Sequence, residues 1–147
     1  MFSSFAKTVM SGSYVVDASV AAKLYFVEIG SVQAELAIRE ANRIIAPDLL
    51  FLEMASIAAK KVRRSLCSFE QAADAVDTLG SLLDETIAAS ELASRAFGLA
   101  AADGFSAYDS AYLSLAELRE FELLTADAPL VRLARKVGLG QFVRLLE

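Results

Sequence analysis

Histidine is absent from the 147 residues, and that absence excludes more chemistry than any residue present. No Ser-His-Asp triad, no Cys-His pair and no imidazole general base can be built. Cysteine occurs once, as Cys67, so the chain has no internal disulfide and no thiolate zinc site. Long charge-free runs are missing too. The longest is the nine residues between Lys7 and Asp17, against about 20 apolar residues for a membrane-spanning helix. The opening residues make a poor secretory signal, with one lysine, a broken apolar stretch, and Gly12 and Asp17 close behind. These features suit a cytoplasmic protein. Any metal it binds must be held by oxygen, which selects hard cations such as magnesium or manganese.

What is present is apolar. Hydrophobic residues make up 56% of the chain and the mean hydropathy is +0.47. The length suits one domain spanning residues 1–147, with residues 1–12 as a ragged lead-in. The composition suits an α/β fold, whose parallel strands are covered on both faces and apolar throughout. It also leaves apolar surface for a partner. The net charge of −5 opposes non-specific binding of nucleic acid. Basic residues nevertheless cluster at Lys60, Lys61, Arg63 and Arg64, and again at Arg132, Arg135 and Lys136. Both groups are either local phosphate-binding patches or solvated helix ends.

Strand patterns fall at Tyr14–Val16, Arg43–Ala46, Glu85–Ile87, Glu122–Thr125 and Phe142–Leu145. Helical patterns run from Val20 to Phe26 and from about Ser31 to Ala41. Asp48 can cap a helix reaching about Arg64. Ser68, with Gln71 three residues on, has capping-box spacing and opens a helix to about Leu83. Further helices run from Ser90 to about Ala102, from Ser106 to about Arg119, and from Asp127 to Val137. Helices between nearly all strands predict a mostly parallel sheet sandwiched by helices, an α/β/α arrangement. Ligands of such sheets bind beyond the C-terminal strand ends, where strand order reverses.

Four carboxylates map near that rim. Asp17 directly follows the first strand; its plainer role is to cap the next helix, a role Ser19 could fill instead. Glu53 is the only charged residue between Leu49 and Ala59, and it shares a helix face with Leu49, Ser56 and Ile57. A carboxylate on an apolar face is costly unless paired or metal-bound. The alternatives for Glu53 are an ion pair with Lys60 or exposure to solvent. Asp109 stands three residues after Ser106, as in a capping box, in a turn that Tyr108, Tyr112 and Leu113 suggest is partly buried. Asp127 lies just past the fourth strand, where it could cap the helix containing Pro129. Four carboxylates converging on one pocket repel one another, and a bound cation makes the cluster tolerable.

In order along the chain, these segments resemble the motifs of the PIN-domain ribonucleases, and among them the VapC-type toxins of bacterial toxin–antitoxin pairs. The likeness covers nearly everything from Tyr14 onward. Val15-Val16-Asp17-Ala18-Ser19-Val20 is similar to the first motif, and Ala46-Pro47-Asp48-Leu49-Leu50-Phe51-Leu52-Glu53 to the second. Ser106-Ala107-Tyr108-Asp109, continuing to Glu117, is similar to the third, and Leu124-Thr125-Ala126-Asp127 to the fourth. The resemblance puts the family's acids at Asp17, Glu53, Asp109 and Asp127 and its supporting hydroxyls at Ser19 and Thr125. The chain departs from the family after the second acid: many relatives have asparagine there, whereas Ala55 and Ser56 follow Met54, which leaves a secondary contact unmatched.

The resemblance implies an α/β/α sandwich, dependence on Mg2+ or Mn2+, and endonucleolytic cutting of structured RNA such as transfer RNA. It also implies a homodimer and a cognate antitoxin laying a helical tail into an apolar groove. Two other readings compete. In one, the same fold is a non-catalytic protein- or RNA-binding module whose acids only cap helices and form ion pairs. In the other, Asp17 is the nucleophile of an aspartyl phosphatase. That class needs a second aspartate two residues on, where this chain has Ser19.

Overall fold

The computed structural model describes Val9 and residues 11–147, so most of the lead-in named above lies outside the described residues. Five strands form one sheet: β1 (Ser13–Val16), β2 (Arg43–Pro47), β3 (Glu85–Ile87), β4 (Glu122–Thr125) and β5 (Val143–Leu145). Their order across the sheet is β3-β2-β1-β4-β5, and every pairing is parallel. The helices are α1 (Ala18–Tyr25), α2 (Ser31–Glu40), α3 (Leu49–Arg63), α4 (Phe69–Thr78), α5 (Ala89–Asp103), α6 (Ala107–Arg119) and α7 (Ala128–Lys136).

The chain first steps outward from β1 through β2 to β3, then returns past β1 to β4 and β5. Right-handed crossovers therefore place α1–α4 on one face of the sheet and α5–α7 on the other. The result is a three-layer α/β/α sandwich. Strand order reverses between β1 and β4, whose register pairs Tyr14 with Glu122 and Val16 with Leu124. In open parallel sheets, ligands bind beyond the C-terminal strand ends at such a point.

The sequence accounts for these layers. All four residues of β1 are buried, as are Leu123, Leu124 and Thr125 of β4, because both faces of the central strands are covered. In α6, every residue from Ser110 to Ala116 is buried. That helix lies under α5 and packs across β1, β2 and β4, so it has almost no solvent face. Among the described residues no helix is long and apolar enough to cross a membrane.

Several helix starts follow their caps. The Ser68 hydroxyl accepts from Gln71 N at 3.0 Å, and the Ser106 hydroxyl accepts from Asp109 N at 3.0 Å. Asp48 behaves differently from the expectation. It makes no side-chain cap on α3; its Oδ1 accepts instead from Ala89 N, the first residue of α5, at 2.9 Å. Sequence spacing shows only the helix next along the chain, whereas folding brought the start of α5 beside the end of β2. The α4 pattern also stops early, at Thr78, and Leu79–Leu82 continue as a single 3-10 turn.

Candidate active site

Asp17 ends β1 with extended backbone and opens α1. Its Oδ1 accepts from Ser19 Oγ at 2.6 Å and from Val20 N at 3.2 Å. Its Oδ2 accepts from Thr125 Oγ1 at 2.5 Å. Asp17 is thus both the helix cap and a buried carboxylate, and the two readings of it are compatible. Ser19 is not the cap. Its hydroxyl accepts from Ala126 N at 3.0 Å, tying α1 to the end of β4. Thr125 in turn accepts from Asp127 N at 3.1 Å. Strands 1 and 4 are therefore stapled at their C-terminal ends by one polar network.

Burial dominates the electrostatics of Asp17 and pushes its carboxyl up to about 6, against the three hydrogen bonds that favour the charged form; repulsion by Asp109 adds to the rise. Glu53, one turn into α3, is also raised, by burial first and by Asp109 second, while a hydrogen bond from Tyr112 opposes. Asp109, in the first turn of α6, is raised by burial and then by Asp127, with Ser106 partly offsetting. Asp109 is thus the common neighbour of the other three acids. The Tyr112 hydroxyl, raised by burial and then by Glu53, Asp17 and Asp109, sits in the same field.

Of the four acids named from the sequence, Asp17 and Asp127 follow the ends of β1 and β4, and Asp109 interacts electrostatically with Asp17, Glu53 and Asp127 in turn; the hydroxyls of Ser19 and Thr125 bond to Asp17. Asp127 also caps α7, accepting from Leu130 N at 3.0 Å. Glu53 does not pair with Lys60. Its partner is Tyr112, whose hydroxyl donates to Glu53 Oε1 at 2.6 Å. Sequence reasoning missed Tyr112 as part of the site. The available signal was its position three residues after Asp109, on the same face of a helix. The turn is partly buried, as expected: Tyr112 and Leu113 are buried and Tyr108 is exposed.

The donor set suits a hard cation. It is all oxygen, Asp17, Glu53 and Asp109 are raised by burial and mutual repulsion, and among the described residues none of the four acids forms an ion pair. Positive charge is what this rim lacks. Among the described residues, however, no three acidic or cysteine side chains stand close enough together to hold a metal ion as they are placed.

Residues 14–136 match the family model of the PIN domain. The chain is also 36% identical over 118 residues to Ribonuclease VapC3 of Pyrobaculum aerophilum, a match covering 79% of this chain and 90% of that protein. The chain therefore belongs to the PIN-domain family, in its VapC branch. The fold is shared with the crystal structure of PAE2754, also from Pyrobaculum aerophilum, with a TM-score of 0.63 at 20% identity, over 88% of this chain and 84% of that one.

Proposed function

We propose that this protein is a divalent-metal-dependent endoribonuclease, the toxin of a toxin–antitoxin pair, acting on structured RNA in the cytoplasm. The convergence of Asp17, Glu53 and Asp127 on Asp109, at the point where strand order reverses, carries this reading. The ribonuclease name of the VapC relative supports it.

Asp17, Asp109 and Glu53 would hold one cation, Mg2+ or Mn2+, partly through water. Ser19, Val20 N and Thr125 fix both oxygens of Asp17. Tyr112 fixes Glu53 in the same way. Asp127 would orient the attacking water or hold a second cation. When bound, the cation neutralises charge on the phosphate and acidifies nearby water, which substitutes for the missing histidine. Because water rather than the ribose 2′-hydroxyl attacks, the products carry a 5′-phosphate and a 3′-hydroxyl.

A partner fits the same reading. An apolar groove of about 440 Å3 lies between α3 and α4, lined by Ala55, Ala58, Val62, Phe69, Ala72 and Val76 among others. It accommodates the helical tail of an antitoxin. The exposed side chains Leu52 and Phe97 leave apolar surface for a homodimer.

The test is incubation of the purified protein with bulk cellular RNA and Mg2+, followed by sequencing of the new ends. Cleavage with 5′-phosphate ends, abolished by chelation and by Asp17→Asn in a folded variant, supports the reading. Cleavage that Asp17→Asn leaves undiminished removes Asp17 from the site.

A further inference from the structure

A second groove, of about 270 Å3, runs between α1 and α3. Ser19, whose hydroxyl binds the Asp17 carboxylate, lines it, so one end of the groove lies a single hydrogen bond from Asp17. Its other wall is α3, where Glu53, Ile57, Lys60 and Arg64 recur at three- and four-residue spacing and share one stripe of the helix surface. At 1.5 Å per residue, Lys60 stands about 10 Å and Arg64 about 16 Å along the axis from Glu53.

Lys23, Lys60, Lys61 and Arg64 line this groove, against a single carboxylate, Glu28. Glu28 accepts from Lys23 Nζ and from Lys61 Nζ, each at 3.0 Å. Burial pushes the Glu28 carboxyl up, but the two lysines outweigh it and leave the carboxyl below its usual range. Lys61 also lies over the Phe26 ring, 5.1 Å from its centroid. Lys23 and Lys61 are therefore committed to holding α1, the following loop and α3 together. Lys60 and Arg64 are exposed and, among the described residues, form no ion pair.

A chain of net charge −5 repels RNA as a whole, so its affinity for RNA must come from a local patch. We infer that this groove is the track for the RNA backbone on one side of the scissile bond, with Lys60 and Arg64 as its phosphate contacts. The inference rests on the ribonuclease reading above. An RNA strand continues past the cations onto the carboxylate rim as substrate, which an acidic peptide has no reason to do.

The test is made first in the Asp17→Asn protein, which on the ribonuclease reading holds RNA without cutting it. Binding of a fluorescent single-stranded RNA oligonucleotide is measured across a salt series, with and without Lys60→Gln and Arg64→Gln together. The double substitution weakens binding about tenfold and reduces the slope of log K on log salt by about 1.4, two phosphate contacts' worth for a single strand. In the cleaving protein the loss falls on KM and not on kcat. Lys60→Arg with Arg64→Lys, which keeps both charges, retains the slope. Lys136→Gln, at the far end of α7, changes neither affinity nor slope.

An unchanged slope in the folded double variant overturns the inference. So does loss of poly-glutamate binding with RNA binding intact, which assigns the groove to an acidic protein partner. Failure of the unsubstituted protein to cleave any RNA counts against the ribonuclease reading instead, and the salt slope still decides the track.

Discussion

Thr125 and Asp17 are 108 positions apart in sequence, yet the Thr125 hydroxyl donates to Asp17 Oδ2 at 2.5 Å and so joins the ends of the two strands that flank the crevice. That bond favours the ionised carboxylate against a burial that opposes it. A hydrogen bond to a charged group contributes about 1.5–3 kcal/mol. Thr125→Val keeps the side-chain shape and removes the donor. Asp17 then rises further above its present value, and the acid limb of the kcat/KM profile for RNA cleavage moves to higher pH by about one unit or more. An acid limb that stays in place separates Thr125 from the ionisation that controls activity.

Tyr112 and Glu53 form the second fixed pair, between α6 and α3. Tyr112→Phe leaves a half-buried carboxylate without its donor, and Glu53, already raised by burial and by Asp109, rises further. The expected loss of unfolding free energy is about 1 kcal/mol, since solvent reaches part of Glu53 and compensates. Urea unfolding at pH 7 measures it. An unaltered midpoint, together with unaltered cation affinity, shows that the bond does not position Glu53.

The raised carboxyl of Asp17 also makes stability depend on pH. Its ordinary value is 3.8 and its folded value about 6, so the native state holds the proton more tightly than the unfolded chain does. Between about pH 4 and pH 6 the native state binds more protons, and stability falls as pH rises through that window. Above it the full penalty of about 3 kcal/mol is in place. Asp17→Asn removes the charge while keeping a good helix-capping residue. Without divalent cations the variant melts higher than the parent at pH 7.5, and the difference disappears near pH 4. A difference independent of pH contradicts the buried-charge account of Asp17.

The layered fold was legible because its signals are local. Apolar strand runs, Ser68 and Ser106 at helix starts, and an acid just past β1 and β4 each lie within a few residues. What sequence could not show were contacts between distant segments. Asp48 resembles a cap for α3, but its partner, Ala89, is 41 residues away. Glu53 has Lys60 at helical spacing, yet the hydrogen bond goes to Tyr112, 59 residues on. The roles of Ser19 likewise appear only once β4 is beside β1. Of the two basic groups, the first divides: Lys60, Lys61 and Arg64 line the groove beside Ser19, while Arg63 faces the apolar groove between α3 and α4. That division depends on how α3 is rotated against its neighbours.

The central claim is that a divalent cation sits among four acids that otherwise repel one another. Anomalous scattering from crystals soaked in Mn2+ tests it most directly. The account predicts a manganese peak bounded by Asp17, Glu53, Asp109 and Asp127, absent from crystals of Asp17→Asn. Crystals that take up no manganese at this rim, at concentrations that support cleavage of RNA by the same preparation, contradict it.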